Sequence, residues 1–317
     1  MRYNFYVACA DEIRYYKGAE LIDSIKISCP MYMELYNNKM YIVARFPFAD
    51  SKESGMTYCG INADGSFGQL SEIVSTQGEA GCHITVDGDD VYAANYATGS
   101  LIKYGRDGVK FVQHKGSGPI KDRQQGAHVH QVIFTPDKEY LCAVDLGIDA
   151  IRIYDRELNF RSQGILPAGS GPRHIVFSHC KNIAYCVNEL GNSVTKLQLS
   201  EDFLYALDTV SILPADYTDG GTAAAIRISP DDKFIYASNR GHNSIACCTN
   251  EMKVIDIVQC GGKWPRDFNL TSDGKFLYCA NERSDDITIF ERDEATGRIT
   301  QVDRMDGLPA PVCVVFR

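Results

Sequence analysis

The chain is built from copies of one hairpin. The clearest are Gly171-Pro-Arg-His-Ile-Val-Phe177 followed by Ala184-Tyr-Cys-Val-Asn-Glu-Leu190, and Trp264-Pro-Arg-Asp-Phe-Asn-Leu270 followed by Leu277-Tyr-Cys-Ala-Asn-Glu-Arg283. In both, an Asn stands fifteen positions after the Arg that follows Pro: Asn188 after Arg173, and Asn281 after Arg266. Weaker copies end at Asn95, Asp145 and Asn239, and two degenerate ones at Arg45 and Cys9. The anchors 9, 45, 95, 145, 188, 239 and 281 are spaced 36, 50, 50, 43, 51 and 42. A period of about 40–50 residues made of short strands prescribes a radial array of four-stranded sheets. Such an array has one axis, and equivalent positions of every copy converge on it.

Within a copy, an apolar strand runs through a turn into a second one, as in His130 to Asp145. Thr135-Pro136-Asp137, Ser229-Pro230-Asp231 and Thr271-Ser272-Asp273 occupy the turn. There Pro presets its own φ and Asp can bond back to the backbone. A third strand follows at 150–154, 193–197 and 286–290, with the alternation of a half-buried strand. The last residues, Pro311-Val-Cys-Val-Val-Phe316, match Pro172-Arg-His-Ile-Val-Phe177 position for position, so the chain ends on the opening strand of a copy whose partner lies around Tyr6 to Cys9. The expected fold is therefore all-β: a seven-bladed β-propeller of four-stranded antiparallel blades. It forms a single domain over residues 1–317, with the N- and C-terminal strands sharing one blade. Sharing a blade removes an exposed sheet edge.

A formal charge of −9 argues against nucleic acid or an anionic membrane as partner, while leaving room for a local cationic site. None of the 12 Cys forms a CxxC pair, and many stand where other copies carry Ala or Val. They read as small buried hydrophobes kept as thiols, which places the protein in the reducing cytoplasm. The N-terminal residues lack an apolar signal core, and no run is long enough to span a membrane.

Aligning the opening strands on Phe177 makes Met31, Cys82, His130, Arg173, Ala224, Arg266 and Val312 equivalent. The residues just after the second-strand anchors are Ala10, Phe46, Tyr96, Leu146, Glu189, Arg240 and Glu282. In an antiparallel hairpin both sets face the same end of the channel. That gathers His130, Arg173, Glu189, Arg240, Arg266 and Glu282 at one mouth, with Arg45, Asp145, His83 and His128 nearby. The repeating Asn95, Asn188, Asn239 and Asn281 suit a structural role at strand ends. His130, Arg173, Glu189 and Arg240 instead break the repeat, and Val312, Ala224 and Met31 show that the fold requires no cation in that slot. These four are the candidate catalytic residues; Arg266, His128, Glu282, Arg45, Asp145 and His83 are candidate substrate-binding residues.

Arginines at a narrow mouth would hold a phosphate or carboxylate. A carboxylate flanked by Arg stays ionised and can act toward water, and an Arg or His beside a carbonyl can stabilise an oxyanion. Hydrolysis of an anionic ester or lactone is the simplest fit. No GxSxG elbow, P-loop, post-strand GxGxxG or HExxH occurs. Gly116-Ser-Gly-Pro119 and Gly169-Ser-Gly-Pro172 recur as links between copies, not as phosphate loops. His128-Val-His130 has spacing that would put both rings on one strand face, but two ligands are too few for zinc, and no metal or cofactor is expected. Asp285-Asp286 and the stretch from Arg283 to Arg292 read as solvated surface.

At these residues the chain resembles the lactonase family of seven-bladed propellers, which includes propeller-type 6-phosphogluconolactonases. The pieces that carry the resemblance are AHVHQVIFTPD with LCAVDLGIDAIRIYD, GSGPRHIVFS with AYCVNELGNSV, IRISPDDKFIYASNRGHNSI and WPRDFNLTSDGKFLYCANERSDDITIF. The related fungal carboxy-muconate lactonizing enzyme has one His, two Arg and one Glu proposed to act. By motif these fall on His130, Arg173, Glu189 and Arg240. The resemblance implies hydrolysis of 6-phosphogluconolactone; a monomer or weak homodimer is expected. The alternatives are a lactonizing or hydrolytic enzyme for another small lactone or dicarboxylate, and a non-catalytic propeller that binds a protein. Departures lie in residues 1 to about 80, in Gly126-Ala127-His128, and in Cys82-His83.

Overall fold

The hairpin copies fold as the inner strands of seven sheets arranged around an axis, in a computed structural model that describes residues 3–317. Blade 1 is the spliced one. Cys313–Phe316 lies innermost, followed by Asn4–Ala8, Glu12–Lys17 and Glu20–Lys26, with Val7 opposite Val314. Blade 3 runs Gly81–Asp87, Asp90–Asn95, Ser100–Gly105 and Gly108–Gln113; blade 4 runs Val129–Phe134, Tyr140–Asp145, Ala150–Asp155 and Phe160–Ile165. Blade 5 comprises Pro172–Phe177, Ile183–Asn188, Ser193–Ser200 and Phe203–Ser211. Blade 6 comprises Thr222–Ile228, Phe234–Arg240, Ser244–Thr249 and Val254–Gln259, and blade 7 Pro265–Leu270, Phe276–Asn281, Asp286–Arg292 and Ile299–Asp306.

Blade 2 departs from the four-stranded expectation. It carries Pro30–Tyr36, Lys39–Ala44, Glu53–Ile61 and Phe67–Leu70, and Val74–Glu79 pairs as well with Glu53–Ile61. The third strand is long enough to accept two short neighbours end to end. Phe67–Leu70 pairs at Cys59 and Ile61, and Val74–Glu79 pairs at Glu53, Gly55 and Met56.

Each blade packs both faces against its neighbours, which is why the inner strands are largely buried, with polar side chains only where they meet the axis or a bonding partner. The closing blade is stapled by aromatic rings. Tyr6 stacks on Tyr15 with centroids 4.7 Å apart, Phe5 stacks on Tyr16 at 5.3 Å, and Phe5 meets Tyr278 of blade 7 edge-on at 5.1 Å. The turn chemistry expected from sequence is present. Asp137, Asp231 and Asp273 accept both the hydroxyl of Thr135, Ser229 and Thr271 and the backbone N–H of Glu139, Lys233 and Lys275.

The repeating asparagines are fully buried. Their role is to tie the second strand to the third or to the neighbouring link. Asn188 donates to Ser193 and Thr195, Asn239 to Ser244 and the Ile212 carbonyl, and Asn281 to Asp286 and Thr288. This corrects one expectation. Asp285 is exposed, but Asp286 is buried because it accepts the Asn281 amide. Arg292 is buried too, because its guanidinium donates to the Gly274 carbonyl.

One local feature aims side chains at the axis. In blades 2 to 7 the pairing between first and second strands slips at the same place. The residues skipped are Met31, Cys82, His130, Arg173, Arg266 and, in blade 6, Ala224 together with Ala225. A bulge leaves a residue unpaired and re-aims its side chain. In blades 2 to 7 the positions made equivalent by the repeat are therefore bulge residues. All but Ala224, together with Tyr32, His174, Asp267 and Val312, line the axial cavity.

Candidate active site

Glu189 is the centre of the site. Its backbone is held on both sides. The N–H donates 2.7 Å to the Gly171 carbonyl, and the carbonyl accepts the Ala223 N–H at 3.1 Å. Gly171 has φ +58, and a Cβ there would lie 2.4 Å from the Leu190 side chain, so glycine is required at this contact. The link carrying it is fixed by buried Asp149, whose carboxylate accepts the N–H groups of Gly169 and Gly171. The Gly-Ser-Gly-Pro segment thus shapes the site as a link between blades.

Three guanidinium groups converge on the Glu189 carboxylate. Arg240 Nη2 lies 2.8 Å from Oε2, Arg173 Nε lies 3.2 Å from the same oxygen, and Arg123 Nη2 donates to Oε1 at 2.5 Å. Arg173 and Arg240 are themselves anchored to blade 6. Arg173 Nη1 donates to the Ala224 carbonyl at 2.6 Å, and Arg240 Nη2 donates to Ala223 at 2.9 Å. Burial alone would push the Glu189 carboxyl up; Arg240, Arg173 and Arg123 together hold it down to about 2. Burial and the nearby Arg240 lower the Arg173 guanidinium to about 9, against the opposing pull of Glu189.

His130 lies beside this cluster as a neutral imidazole. Burial, reinforced by Arg173, Arg266 and Arg240, holds it well below its ordinary value, and its Nδ1 is buried without a partner. His130 meets His174 with centroids 5.1 Å apart and Tyr96 at 5.6 Å. His174 meets His83 at 5.5 Å, and His83 stacks on Tyr32 at 3.9 Å, so an aromatic column lines the axis below the arginines. On the far side Arg266 pairs with Glu282 at 3.2 Å. Arg45, whose Nε is unpartnered, is shifted down by burial and by Arg266.

The structure thus brings His130, Arg173, Glu189, Arg240, Arg266, Glu282 and Arg45 to one mouth and sets His83 in the axial column. Two expected residues are placed differently. Asp145 is fully buried and both its oxygens are engaged: Oδ1 accepts from His128 N and Gly147 N, and Oδ2 lies 2.7 Å from His114 Nδ1. It occupies the slot of the repeating Asn and serves the scaffold. His128 precedes the strand instead of lying on its face. Its ring stacks on Tyr96 at 4.5 Å and its Nδ1 lies 2.8 Å from the Tyr96 carbonyl. His128 and His130 therefore flank Tyr96 instead of sharing a ligand position. Among the described residues no group of three His, Cys, Asp or Glu is placed to hold a metal ion.

Sequence alignment missed Arg123, which lies in the link between blades 3 and 4, residues 114–128, where no other copy has a counterpart. It also passed over Trp264, whose ring faces the guanidinium of Arg240 at 5.6 Å and that of Arg283 at 3.4 Å. His174 and Tyr96 had a signal: His174 follows Arg173, and Tyr96 itself stands in the aligned ring after the second-strand anchors.

A closed seven-bladed propeller with an ionised carboxylate, a ring of arginines and a neutral histidine at one axial mouth is a fold and site suited to small anionic ligands. The family model described as Lactonase, 7-bladed beta-propeller, matches residues 16–316, and the chain belongs to that family. The 6-phosphogluconolactonase of Bacillus subtilis is 36% identical over 258 residues, covering 75% of this chain and 74% of that protein. A crystal structure from Bacteroides fragilis, provisionally described as a 6-phosphogluconolactonase, superposes with a TM-score of 0.88 at 28% identity, covering 99% and 98% of the two chains. A periplasmic gluconolactonase of Pseudomonas aeruginosa superposes with a TM-score of 0.88 at 25% identity over the same shares.

Proposed function

We propose that the protein hydrolyses a small sugar lactone, with 6-phospho-D-glucono-1,5-lactone as substrate, and that it does so in the cytoplasm, as a monomer or weak homodimer, without a metal or cofactor. The observation that carries this reading is the Glu189 carboxylate held by Arg123, Arg173 and Arg240 beside neutral His130. Family membership and the named activities of the relatives support it.

Hydrolysis requires water to add to the lactone carbonyl, the carbonyl oxygen to carry negative charge, and the ring oxygen to leave with a proton. Arg173 and Arg240 present N–H groups that stabilise the oxyanion in a site shielded from bulk water. Glu189 is ionised at neutral pH, so it orients the attacking water and accepts its proton as the C–O bond forms. Its low proton affinity makes that transfer transient, and the proton passes to the departing ring oxygen, leaving a carboxylate and a hydroxyl. His130, with a free ring nitrogen, relays that proton or bonds the ring oxygen.

The test is hydrolysis of fresh phosphogluconolactone, corrected for spontaneous opening. Glu189→Gln and Arg173→Ala should each lower kcat by about 10²–10³-fold while the fold persists. Wild-type rates in both folded variants would refute the site, and loss of activity in EDTA would refute metal independence. A second reading, hydrolysis of an unphosphorylated lactone, is favoured by the name of the Pseudomonas relative. It is preferred if gluconolactone alone is turned over.

A further inference from the structure

The three arginines on Glu189 are not alike. The side chains of Arg173 and Arg240 are 4% and 8% exposed and are anchored to the carbonyls of Ala224 and Ala223. Arg123 is 36% exposed, and its guanidinium has two partners, Glu189 and the Tyr96 hydroxyl at 3.2 Å. It stands on a strand-free link, in the turn Lys121–Arg123. The base of that turn is nevertheless firm. Gln124 donates to the Leu146 carbonyl and to Asp149, accepts the Ile120 N–H, and its carbonyl accepts the Gly118 N–H. Arg123 is therefore a long side chain on a fixed root, reaching over the mouth from the solvent side.

The charge balance points the same way. Arg45, Arg123, Arg173, Arg227, Arg240 and Arg266 surround the axis, while the carboxylates among them are Glu189, Asp267 and Glu282. Asp267 belongs to Arg227 at 2.8 Å, and Glu282 to Arg266. Four guanidiniums, those of Arg45, Arg123, Arg173 and Arg240, are left for one carboxylate, in a protein whose formal charge is −9. A surplus of buried cations is costly unless an anion completes it. A phosphate monoester, carrying close to two negative charges at neutral pH, has the charge and the acceptor geometry for an accessible guanidinium.

We infer that Arg123 is the specificity-determining residue of this site: it exchanges its bond to Glu189 for the phosphate of the incoming lactone, and its departure frees the carboxylate to act on water. This rests on the lactonase reading above. The exchange links recognition to reactivity. Substrate bearing the phosphate removes one of three cations from Glu189 and so raises its proton affinity at the moment a base is needed. Binding energy from a group remote from the reacting carbonyl then appears in kcat as well as in KM. A lactone without the phosphate leaves Arg123 clamped on Glu189 and meets a weaker base.

The experiment compares 6-phosphogluconolactone with glucono-1,5-lactone in wild type, Arg123→Ala and Arg123→Lys. Arg123 is on the surface of a link, so both variants should fold, and circular dichroism checks this. The ratio of kcat/KM for the phosphorylated over the unphosphorylated lactone should fall about 10–100-fold in Arg123→Ala, the size of one charge-assisted bond, because KM for the phosphorylated lactone rises while kcat for the unphosphorylated one, no longer held back by the clamp on Glu189, does not fall. Arg123→Lys should recover part of it. The fluorescence of Trp264, the single tryptophan of the chain, reports binding directly, because its ring contacts Arg240. Arg123→Ala should weaken 6-phosphogluconate about 10–100-fold and spare gluconate. Equal losses on both lactones would overturn the inference by making Arg123 a holder of Glu189 only, and an unchanged ratio would overturn it as well. If wild type turns over neither lactone, the functional reading fails first, and the fluorescence titration still tests whether Arg123 recognises phosphate.

Discussion

At the scale of the residue, the molecule distinguishes polar groups that build from polar groups that act. Asn188, Asn239 and Asn281 are buried and donate to neighbours on the following strand or on the adjoining link. Removing one takes a buried hydrogen bond from each of its partners. Asn281→Ala takes a buried bond from both Asp286 and Thr288 and should cost about 1–3 kcal/mol in chemical denaturation, with little change in substrate KM. Arg173 and Arg240 also bond backbone, but each keeps an edge on Glu189, and this double duty marks them as site residues. The cysteines divide as cleanly. All twelve are free thiols, most are buried, and Cys180 is exposed. A thiol reagent should therefore label Cys180 first in the native protein and reach the buried set only on unfolding. Rapid native labelling of several buried cysteines would contradict this packing.

At the scale of the element, the bulge at the start of each opening strand is the device that turns a scaffold into a site. Equivalence of Met31, Cys82, His130, Arg173, Ala224 and Arg266 was legible, because the hairpin repeats carry it. That these residues escape the ladder was not, since a bulge leaves no signature in residue type when Met, Cys, His and Arg all serve. Closure by the two ends was legible from Pro311–Phe316. The fifth strand of blade 2 was not, because residues 1–80 hold the weakest copies. Arg123 was invisible for a deeper reason: repeat alignment compares copies, and the link at 114–128 has nothing to be compared with. Asp145 misled the reading in the opposite sense, since an acid in an Asn slot breaks the repeat in sequence yet conserves its structural task by pairing with His114. At Gly171 the element and the site meet. Gly171→Val must distort either the φ +58 link or Leu190, displacing the Glu189 N–H anchor. Its lactonase activity should fall at least about tenfold even at temperatures where the variant remains folded, by misplacement of a reacting group.

At the scale of the whole molecule, the axis concentrates ionisable groups whose folded and unfolded forms bind protons differently. Burial holds His83, His130 and His174 well below 6.5, so the unfolded chain takes up protons near that value which the folded chain refuses. Stability is then complete above about 6.5 and declines as pH falls below it. Glu189 acts lower down. Its stabilisation is present above the ordinary carboxyl value of 4.5 and is lost as pH drops toward about 2. Calorimetric Tm should consequently decrease between pH 7 and pH 5, before carboxyl titration begins in earnest, and a flat Tm across that interval would show that the imidazoles are not buried neutral.

The blade shared by the two chain ends sets a timetable for synthesis. Cys313–Phe316 is the innermost strand of the first blade, and Val312 lines the axial cavity. These residues leave the ribosome after every other blade strand. Blades 2 to 7 can stack as they emerge, each on its predecessor, but Asn4–Ala8 waits without its inner partner until Cys313–Phe316 has been made. The ring locks only then, so every nascent chain passes through an open, arc-shaped state. Deletion of Val312 to Phe316 should trap that state, leaving most blades formed, the axial cavity unwalled on one side, and one strand edge free to recruit a second chain.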